Sequence, residues 1–285
     1  MPDPAKLAAT IRKATELNRA TPGRNGNVVV LKNAEDVLVV GDLHGNLRAF
    51  KAMLDRAEMG LNPRRHLVLQ EIVHDVTADP DTGRPDLSHR LVDIVCALKC
   101  QYPDRVHVIL GNHELSELTN RPIAKRGVPL NELFKEGVER TYGKGAEAIH
   151  ASYMEFFASM PLAVRTPNRV FAVHTIPDSR DLDAFDPSIF VTYGWSEEHT
   201  RRHGSVYALT WGRDNSPETA DRFAGIADAD FFVCGHQPCD EGFRVANHRM
   251  LILDGTDPHP GSCLFPAQAP ITFDDLVAGV RVVLR

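Results

Sequence analysis

The sequence lacks several features that would point to whole classes of protein. Its five cysteines are an odd number in 285 residues and include no CxxC pair, which argues against a disulfide framework and makes a structural zinc site a weak interpretation. The first twenty residues have no continuous apolar run of the kind that a signal peptide needs, and no segment is apolar over the length of a membrane span. We therefore expect a cytoplasmic protein that does not enter a membrane.

Blocks of basic residues are also missing. Asp and Glu outnumber Lys and Arg by 38 to 32, the net charge is -6, and no basic run is longer than a pair such as Arg64-Arg65. A broad basic face for nucleic acid is therefore not expected. Internal repeats and low-complexity tracts are absent as well, so a single domain over residues 1–285 is our interpretation.

What the sequence does have is a series of short apolar runs rich in Val, Ile and Phe. The predicted strands are 28–31, 37–40, 67–70, 106–110, 169–173, 231–234 and 250–253, with a further candidate at the C-terminus. Helical patterns lie between several of them. They include an N-terminal helix and loop over 1–26, a helix capped by Asn46, and a helical insertion over 115–160. This alternation predicts an α/β fold with a buried sheet.

Polar residues of the types that bind metals follow five of these strands directly. The segments are GDLHG (Asp42, His44), QE (Glu71), GNHE (Asn112, His113), His174 and GH (His236). Carboxyl ends of strands in an open α/β sheet collect at one crevice, and histidine with carboxylate and amide oxygens suits Mn, Fe or Zn. Taken singly, Asp42 and Asn112 also fit helix caps and each histidine fits a core position, but five coincidences are harder to explain than one shared site.

Three segments, GDLHGN, GNHE and GHQPCDEGF, give the chain a resemblance to the calcineurin-like metallophosphoesterases, and within them to the serine/threonine phosphatase group. The resemblance covers roughly residues 36–255. It implies a four-layer fold, in which a central β-sandwich is flanked by helices and two metals lie at one edge. It also implies a substrate that carries phosphate, such as a phosphoprotein.

The resemblance assigns a role to each of these side chains. Asp42 and His44 would hold the first metal, and Glu71 would bridge both. Asn112, His174 and His236 would complete the second, and His113 would be the general acid. A hydroxide between the metals would be the nucleophile.

The stretch QEIVHDV (70–76) departs from the family pattern GDxxDRG. Glu71 keeps a carboxylate where the family has the bridging Asp. His74 replaces the Asp that orients the catalytic histidine, so either His74 or Asp75 would orient His113. The alternative for both residues is that they lie in a solvated turn without a catalytic role. Asp75 also replaces the Arg that grips phosphate.

Arg121 and Arg213 are our candidates to supply that positive charge, and an ordinary surface arginine is the alternative for each. Further departures at His174-Thr175-Ile176 and at 253–262, which we interpret as a loop, favour some change of substrate. Three functions therefore stay open from the sequence: a phosphomonoesterase, a hydrolase of dinucleoside polyphosphates or phosphodiesters, and a catalytically silent scaffold.

Overall fold

The computed structural model describes residues 3–125 and 127–283, in which two β-sheets pack against each other with helices around them. The helices are α1 (Pro4–Arg19), α2 (Leu47–Ala57), α3 (His89–Gln101), α4 (Asn112–Thr119), α5 (Leu130–Tyr142), α6 (Ala146–Ala158), α7 (Glu197–Thr200), α8 (Ser205–Trp211), α9 (Pro217–Ala227) and α10 (Phe273–Ala278). The N-terminal helix and the helices expected within 115–160 are confirmed, and Asn46 caps α2 as predicted, its side chain accepting from the backbone N–H of Ala49.

The strands are short and mostly buried. They are β1 (Arg24–Asn25), β2 (Val28–Val30), β3 (Asp36–Val40), β4 (Arg65–Gln70), β5 (Val106–Ile109), β6 (Ala124–Lys125), β7 (Val128–Pro129), β8 (Ala163–Arg165), β9 (Val170–Val173), β10 (Phe231–Cys234), β11 (Phe243–Val245), β12 (Met250–Leu253), β13 (Gly261–Pro266) and β14 (Val280–Val282). One sheet has the order β1-β2-β8-β9-β10-β12-β11 and the other β14-β13-β3-β4-β5. A small hairpin, β6–β7, lies within the insertion.

Alternation along the strands builds the sandwich. In β3, Val37 and Val39 belong to the apolar layer between the sheets, whereas Leu38 and Val40 belong to the larger core that includes Phe50 of α2. Because successive side chains of a strand point to opposite faces, one strand serves both layers. The predicted α/β fold, with a β-sandwich flanked by helices, is confirmed.

Strand β13 was not predicted, and it takes up the last two residues of 253–262; Asp254 and His259 lie in the loop between β12 and β13, as predicted. Strand β13 lies inside the second sheet, antiparallel to β3. Cys263 and Phe265 point into the layer between the sheets. Glycine at its start and proline at its end give the segment the composition of a loop, and pairing with a distant strand overrides that local signal.

The C-terminal strand candidate RVVLR begins one residue later than the strand found, Val280–Val282, and its last two residues lie outside the described ranges. Among the described helices none is long and apolar enough to cross a membrane.

Candidate functional site

Two sets of parallel strands bring the predicted residues together. Strands β3, β4 and β5 are parallel neighbours in one sheet, and β9 and β10 are parallel neighbours in the other. Their carboxyl ends meet across the sandwich, since the backbone N–H of His236, after β10, donates to Oδ2 of Asp42, after β3, at 2.5 Å. The crevice lies where the sequence predicts it.

Glu71 stands in the middle of this crevice. It belongs to two groups whose ligand atoms all lie within 4.8 Å of one another, one with His44 and His113 and one with Asp42 and His174. Nε2 of His44 is 3.5 Å from Oε2 of Glu71, and Nε2 of His174 is 3.6 Å from Oε1. Oε2 of Glu71 therefore faces His44, and Oε1 faces His174 on the other side.

Asn112 joins His236 to the second group. Its Oδ1 lies 2.9 Å from Nε2 of His174 and 2.9 Å from Nδ1 of His236. The rings of His174 and His236 meet edge to face, with centroids 5.1 Å apart. One amide oxygen and two imidazole nitrogens thus converge beside Glu71.

The electrostatics of the crevice fit a bound cation. Burial raises the pKa of Asp42 well above its usual value, and the carboxylate of Asp254 adds to this effect. Burial and the charge of Asp42 likewise raise the pKa of Glu71. Oδ1 of Asp42 is buried without a hydrogen-bond partner among the described residues. Two buried, adjacent carboxylates need a positive charge to stay ionised, and a metal ion would supply it.

Burial favours the neutral form of the histidines in the second group. Burial lowers the pKa of His174 well below its usual value, and burial together with the charge of Arg213 lowers the pKa of His236 to about 3. Only a neutral imidazole has a lone pair for a metal. The residues present therefore fit a dinuclear site around Glu71, whose other ligands would be Asp42, His44, Asn112, His174 and His236.

Supporting side chains fix the orientation of these ligands. Oε1 of Gln70 lies 3.1 Å from Nδ1 of His174, while its amide nitrogen donates to the backbone oxygen of Val40. Because Gln70 is held in this way, Nδ1 of His174 carries the proton and Nε2 faces the site. Gln70 stands where the family has glycine, so this replacement gives the predicted ligand His174 a hydrogen-bond partner.

Glu114 ties two strand ends together. It is fully buried, and its Oε1 accepts from the backbone N–H groups of Ile72 and Val73 at 2.8 and 3.3 Å. Its Oε2 accepts from the N–H of Gly111 at 3.2 Å. Glu114 therefore anchors the loop after β4 to the start of α4.

The backbone of the crevice is strained. His44, Glu71, His74 and His236 all have positive φ, between 44° and 67°, a conformation that costs non-glycine residues on the order of 1 kcal/mol or more each. At Gly235 a Cβ would stand 2.1 Å from Oδ1 of Asp42 and 2.8 Å from Oε1 of Gln70. Close packing of the strand ends requires glycine there.

His113 is oriented by His74. Nδ1 of His113 lies 2.9 Å from Nδ1 of His74, and Nε2 of His74 lies 2.9 Å from Oε1 of Glu117. Asp75 lies elsewhere, since its carboxylate accepts from the backbone N–H of Thr77 and lies 3.6 Å from Arg84. Of the two candidates to orient His113, the structure brings His74 to it and ties Asp75 into the adjoining loop.

The two candidate arginines occupy different surroundings. Arg213 is exposed, and its charge reaches His236, whose pKa it helps to lower. Arg121 is half-buried, donates to the backbone oxygen of Thr200, and lies with its guanidinium 4.8 Å from the ring centre of Tyr207. Their roles in substrate binding stay predictions.

Glu117 is the residue that sequence reasoning missed. It lies on α4, one helical turn after His113, and this spacing of four places the two residues on one face. The spacing was visible in the sequence, but the partner that links them, His74, comes from a different strand end. Without the fold, nothing singled out Glu117 among the acids of the insertion.

The family model for calcineurin-like phosphoesterases matches residues 36–240. The chain is 24% identical over 264 residues to a probable serine/threonine-protein phosphatase of Encephalitozoon cuniculi, covering 84% of this chain and 51% of that protein. It is 30% identical over 233 residues to the serine/threonine-protein phosphatase 4 catalytic subunit of Kluyveromyces lactis, covering 77% of this chain and 64% of that one. The chain thus spans between half and two thirds of the length of these relatives.

Two solved structures are similar to this chain in fold. A protein serine/threonine phosphatase of Saccharomyces cerevisiae with similarity to human phosphatase PP5 aligns with a TM-score of 0.69 at 16% identity, covering 92% of this chain and 82% of that one. A cold-active protein-tyrosine phosphatase of a psychrophilic Shewanella species aligns at 0.59 and 15% identity, covering 94% and 84%. At these identities the likeness concerns the fold alone.

Proposed function

Because the chain belongs to the calcineurin-like phosphoesterase family, we propose that it hydrolyses phosphate monoesters at two metal ions. The observation that carries the proposal is the position of Glu71, which belongs to two groups of ligand-type atoms and faces His44 with Oε2 and His174 with Oε1. Asp42, His44, Asn112, His174 and His236 complete the two groups. When bound, such ions supply an activated water at neutral pH and stabilise the charge that builds up on the phosphoryl oxygens.

His113 is the general acid. Its Nε2 lies 3.9 Å from Oε1 of Glu71, so it borders the space in which the phosphoryl group would lie. Its backbone N–H donates to the same oxygen at 3.2 Å, which fixes the start of α4 against the ligands. From this position Nε2 donates a proton to the leaving oxygen, the atom that needs it most as the bond to phosphorus breaks.

Substrate phosphate is held by Arg213, with Arg121 as the second candidate. Arg213 supports this role best because its side chain is exposed and its charge reaches the histidines of the second group. Arg121 already has one partner in α7 and one in α8, so it contributes by shaping the rim. An exposed arginine at a metal edge can bind phosphate through two parallel hydrogen bonds.

The ligand set of histidine, carboxylate and amide oxygen suits Mn, Fe or Zn.

A cleft of about 830 Å³ opens beside His44 and is lined in part by Asp75, Arg84 and Arg90. Its size supports a substrate larger than a small phosphate ester. A phosphoprotein of the serine/threonine type is our first choice, as the names of the relatives suggest, and a cytoplasmic location stays a prediction.

The same cleft favours a second candidate, the hydrolysis of dinucleoside polyphosphates or phosphodiesters, because Asp75 stands there in place of the family's arginine and changes the charge next to the phosphate. A comparison of substrates separates the two. With Mn²⁺ present, a phosphoserine or phosphothreonine peptide should be turned over faster than diadenosine tetraphosphate or bis(p-nitrophenyl) phosphate.

The control for this experiment is His113→Asn, which should lower kcat on a phosphopeptide by ~100-fold while metal binding is retained. Faster turnover of the diester or the dinucleotide would select the second candidate. A chain that binds two ions and hydrolyses none of these substrates would be the scaffold that the sequence left open.

A further inference from the structure

We propose that Glu117 and His74 act as positioning residues that hold His113 in the tautomer with its proton on Nδ1, so that Nε2 faces the reacting phosphate. This inference rests on the proposed function for its catalytic meaning, but the tautomer itself is a property of the chain. It assigns a role to a buried acid of the helical insertion, outside the strand ends that supply the ligands.

The three side chains form a continuous hydrogen-bonded row. Oε1 of Glu117 is 2.9 Å from Nε2 of His74, and Nδ1 of His74 is 2.9 Å from Nδ1 of His113. His74 is fully buried and Glu117 is only 8% exposed. The ring of His74 also packs edge to face against Phe134 of α5, with centroids 5.6 Å apart, so it has little freedom to turn.

The direction of the row follows from donor and acceptor chemistry. An ionised carboxylate can only accept, so Nε2 of His74 must carry a proton towards Glu117. A neutral His74 then has a lone pair on Nδ1 and accepts there. With His74 in this state, Nδ1 of His113 is the donor, which leaves Nε2 of His113 as the nitrogen that faces Glu71 and the site.

The proposed reaction needs Nε2 of His113 to be the nitrogen that exchanges a proton, and a proton held on Nδ1 leaves Nε2 for that role. For the transfer the ring must carry a second proton, on Nε2. When Nε2 of His113 donates its proton to the leaving oxygen, the N–H bond breaks, an O–H bond forms, and the ring is left neutral with its remaining proton on Nδ1. The row stabilises that product because His74 accepts from this N–H.

Glu117 is held so that its charge is retained. Nδ2 of Asn131 donates to its Oε1 at 2.7 Å, and Nε2 of His150 lies 3.5 Å from its Oε2. Burial alone would raise the pKa of Glu117, but hydrogen bonds from His150 and His74 outweigh it and lower the pKa to about 2. These partners lie on α5 and α6, so the insertion anchors the row.

A purely structural link between α4 and the loop at 70–76 would use the same contacts, and the two roles differ in what they predict. Glu117→Leu removes the acceptor. Glu117→Gln removes the charge and keeps an acceptor, because Asn131 donates to Oε1 and so favours the amide oxygen there. His74→Phe keeps a ring against Phe134 and removes the partner of His113. The matched control is Glu132→Gln, an exposed acid on α5.

The first measurement is the ¹⁵N chemical shift of both ring nitrogens of His113 in the full chain, with and without Zn²⁺. Wild type, Glu132→Gln and Glu117→Gln should show a protonated Nδ1. Glu117→Leu and His74→Phe should show a mixture of tautomers. Turnover of a phosphopeptide should fall by ~10- to 100-fold in kcat for the last two, with KM and the number of zinc ions unchanged.

Glu117→Gln should lose less kcat than Glu117→Leu, since it keeps the tautomer. The inference is overturned if His113 keeps its proton on Nδ1 in both Glu117→Leu and His74→Phe, or if their loss of turnover comes with loss of zinc. A wild-type chain that shows the expected tautomers without any turnover would instead contradict the proposed function, so the two failures are distinguishable.

Discussion

The metal-ligand groups and the row behind His113 come from two regions that differ in construction. The ligands follow parallel strands directly, and their positions are set by backbone pairing and by glycine at a tight approach. Glu117 instead lies within a helix, and its partners Asn131 and His150 come from the two helices that follow it. The first region would bind the metal ions and the second orients His113. Mutations in the first should therefore change metal affinity, and mutations in the second should change the tautomer of His113.

Glu71→Gln should have the largest effect on the ligand region. The change removes the charge shared by both groups, so binding should fall from two ions to one or fewer. Turnover should fall by at least ~1000-fold. Metal analysis after gel filtration and kinetics on a phosphopeptide check this, with the exposed Glu241→Gln as control. A variant that still binds two ions would show that Glu71 does not bridge.

Gly235→Ala tests how closely the strand ends must approach. The added Cβ would stand 2.1 Å from Oδ1 of Asp42, so the ligands must move and metal affinity should fall by ~100-fold. The matched control is Gly225→Ala on α9, where a Cβ meets nothing within 4 Å and stability should rise by up to ~1 kcal/mol. Unchanged affinity in Gly235→Ala would mean that the crevice is less tightly packed than described.

Gln70→Leu should separate the two regions most clearly. It removes the acceptor that orients His174, so metal affinity should fall by ~10- to 100-fold. The tautomer of His113 should stay as in wild type, because Gln70 takes no part in that row. Calorimetric titration with Zn²⁺ and the imidazole ¹⁵N shifts give the two readouts, and the exposed Gln101→Leu on α3 is the control. A change in the His113 tautomer would show that the regions are coupled.

His89→Phe concerns stability outside both regions and should have the smallest effect. His89 is fully buried, neither ring nitrogen has a hydrogen-bond partner among the described residues, and burial lowers its pKa to about 4. An unfolded chain binds a proton there below a pKa of about 6.5, and the folded chain does not until about pH 4, so this histidine lowers stability as pH falls through that window. The variant should be more stable by ~1 kcal/mol at pH 7.

Urea unfolding of His89→Phe at several pH values provides the check. The gain over wild type should grow between pH 6.5 and pH 4, because the variant has lost a group that favours the unfolded state there. A constant or shrinking gain would mean that His89 takes up its proton in the folded chain as readily as in the unfolded one.

The same comparison explains what the sequence could predict. Asp42, Glu71, Asn112, His174 and His236 could be found because each directly follows an apolar run, and parallel strands bring such positions together. Strand β13 could not be found, since its pairing with β3 is a long-range contact that its own composition does not signal. The choice between His74 and Asp75, and the role of Glu117, likewise depended on packing between the loop at 70–76 and helices far along the chain.

The number of metal ions bound per chain tests the central claim most directly. The full chain, stripped of metal and titrated with Mn²⁺ or Zn²⁺ in a calorimeter, should bind two ions. Two ions would establish that one carboxylate, Glu71, serves both groups of ligands in spite of the altered segment at 70–76. One ion or none would contradict the account, because the two groups that share Glu71 would then not form a dinuclear centre.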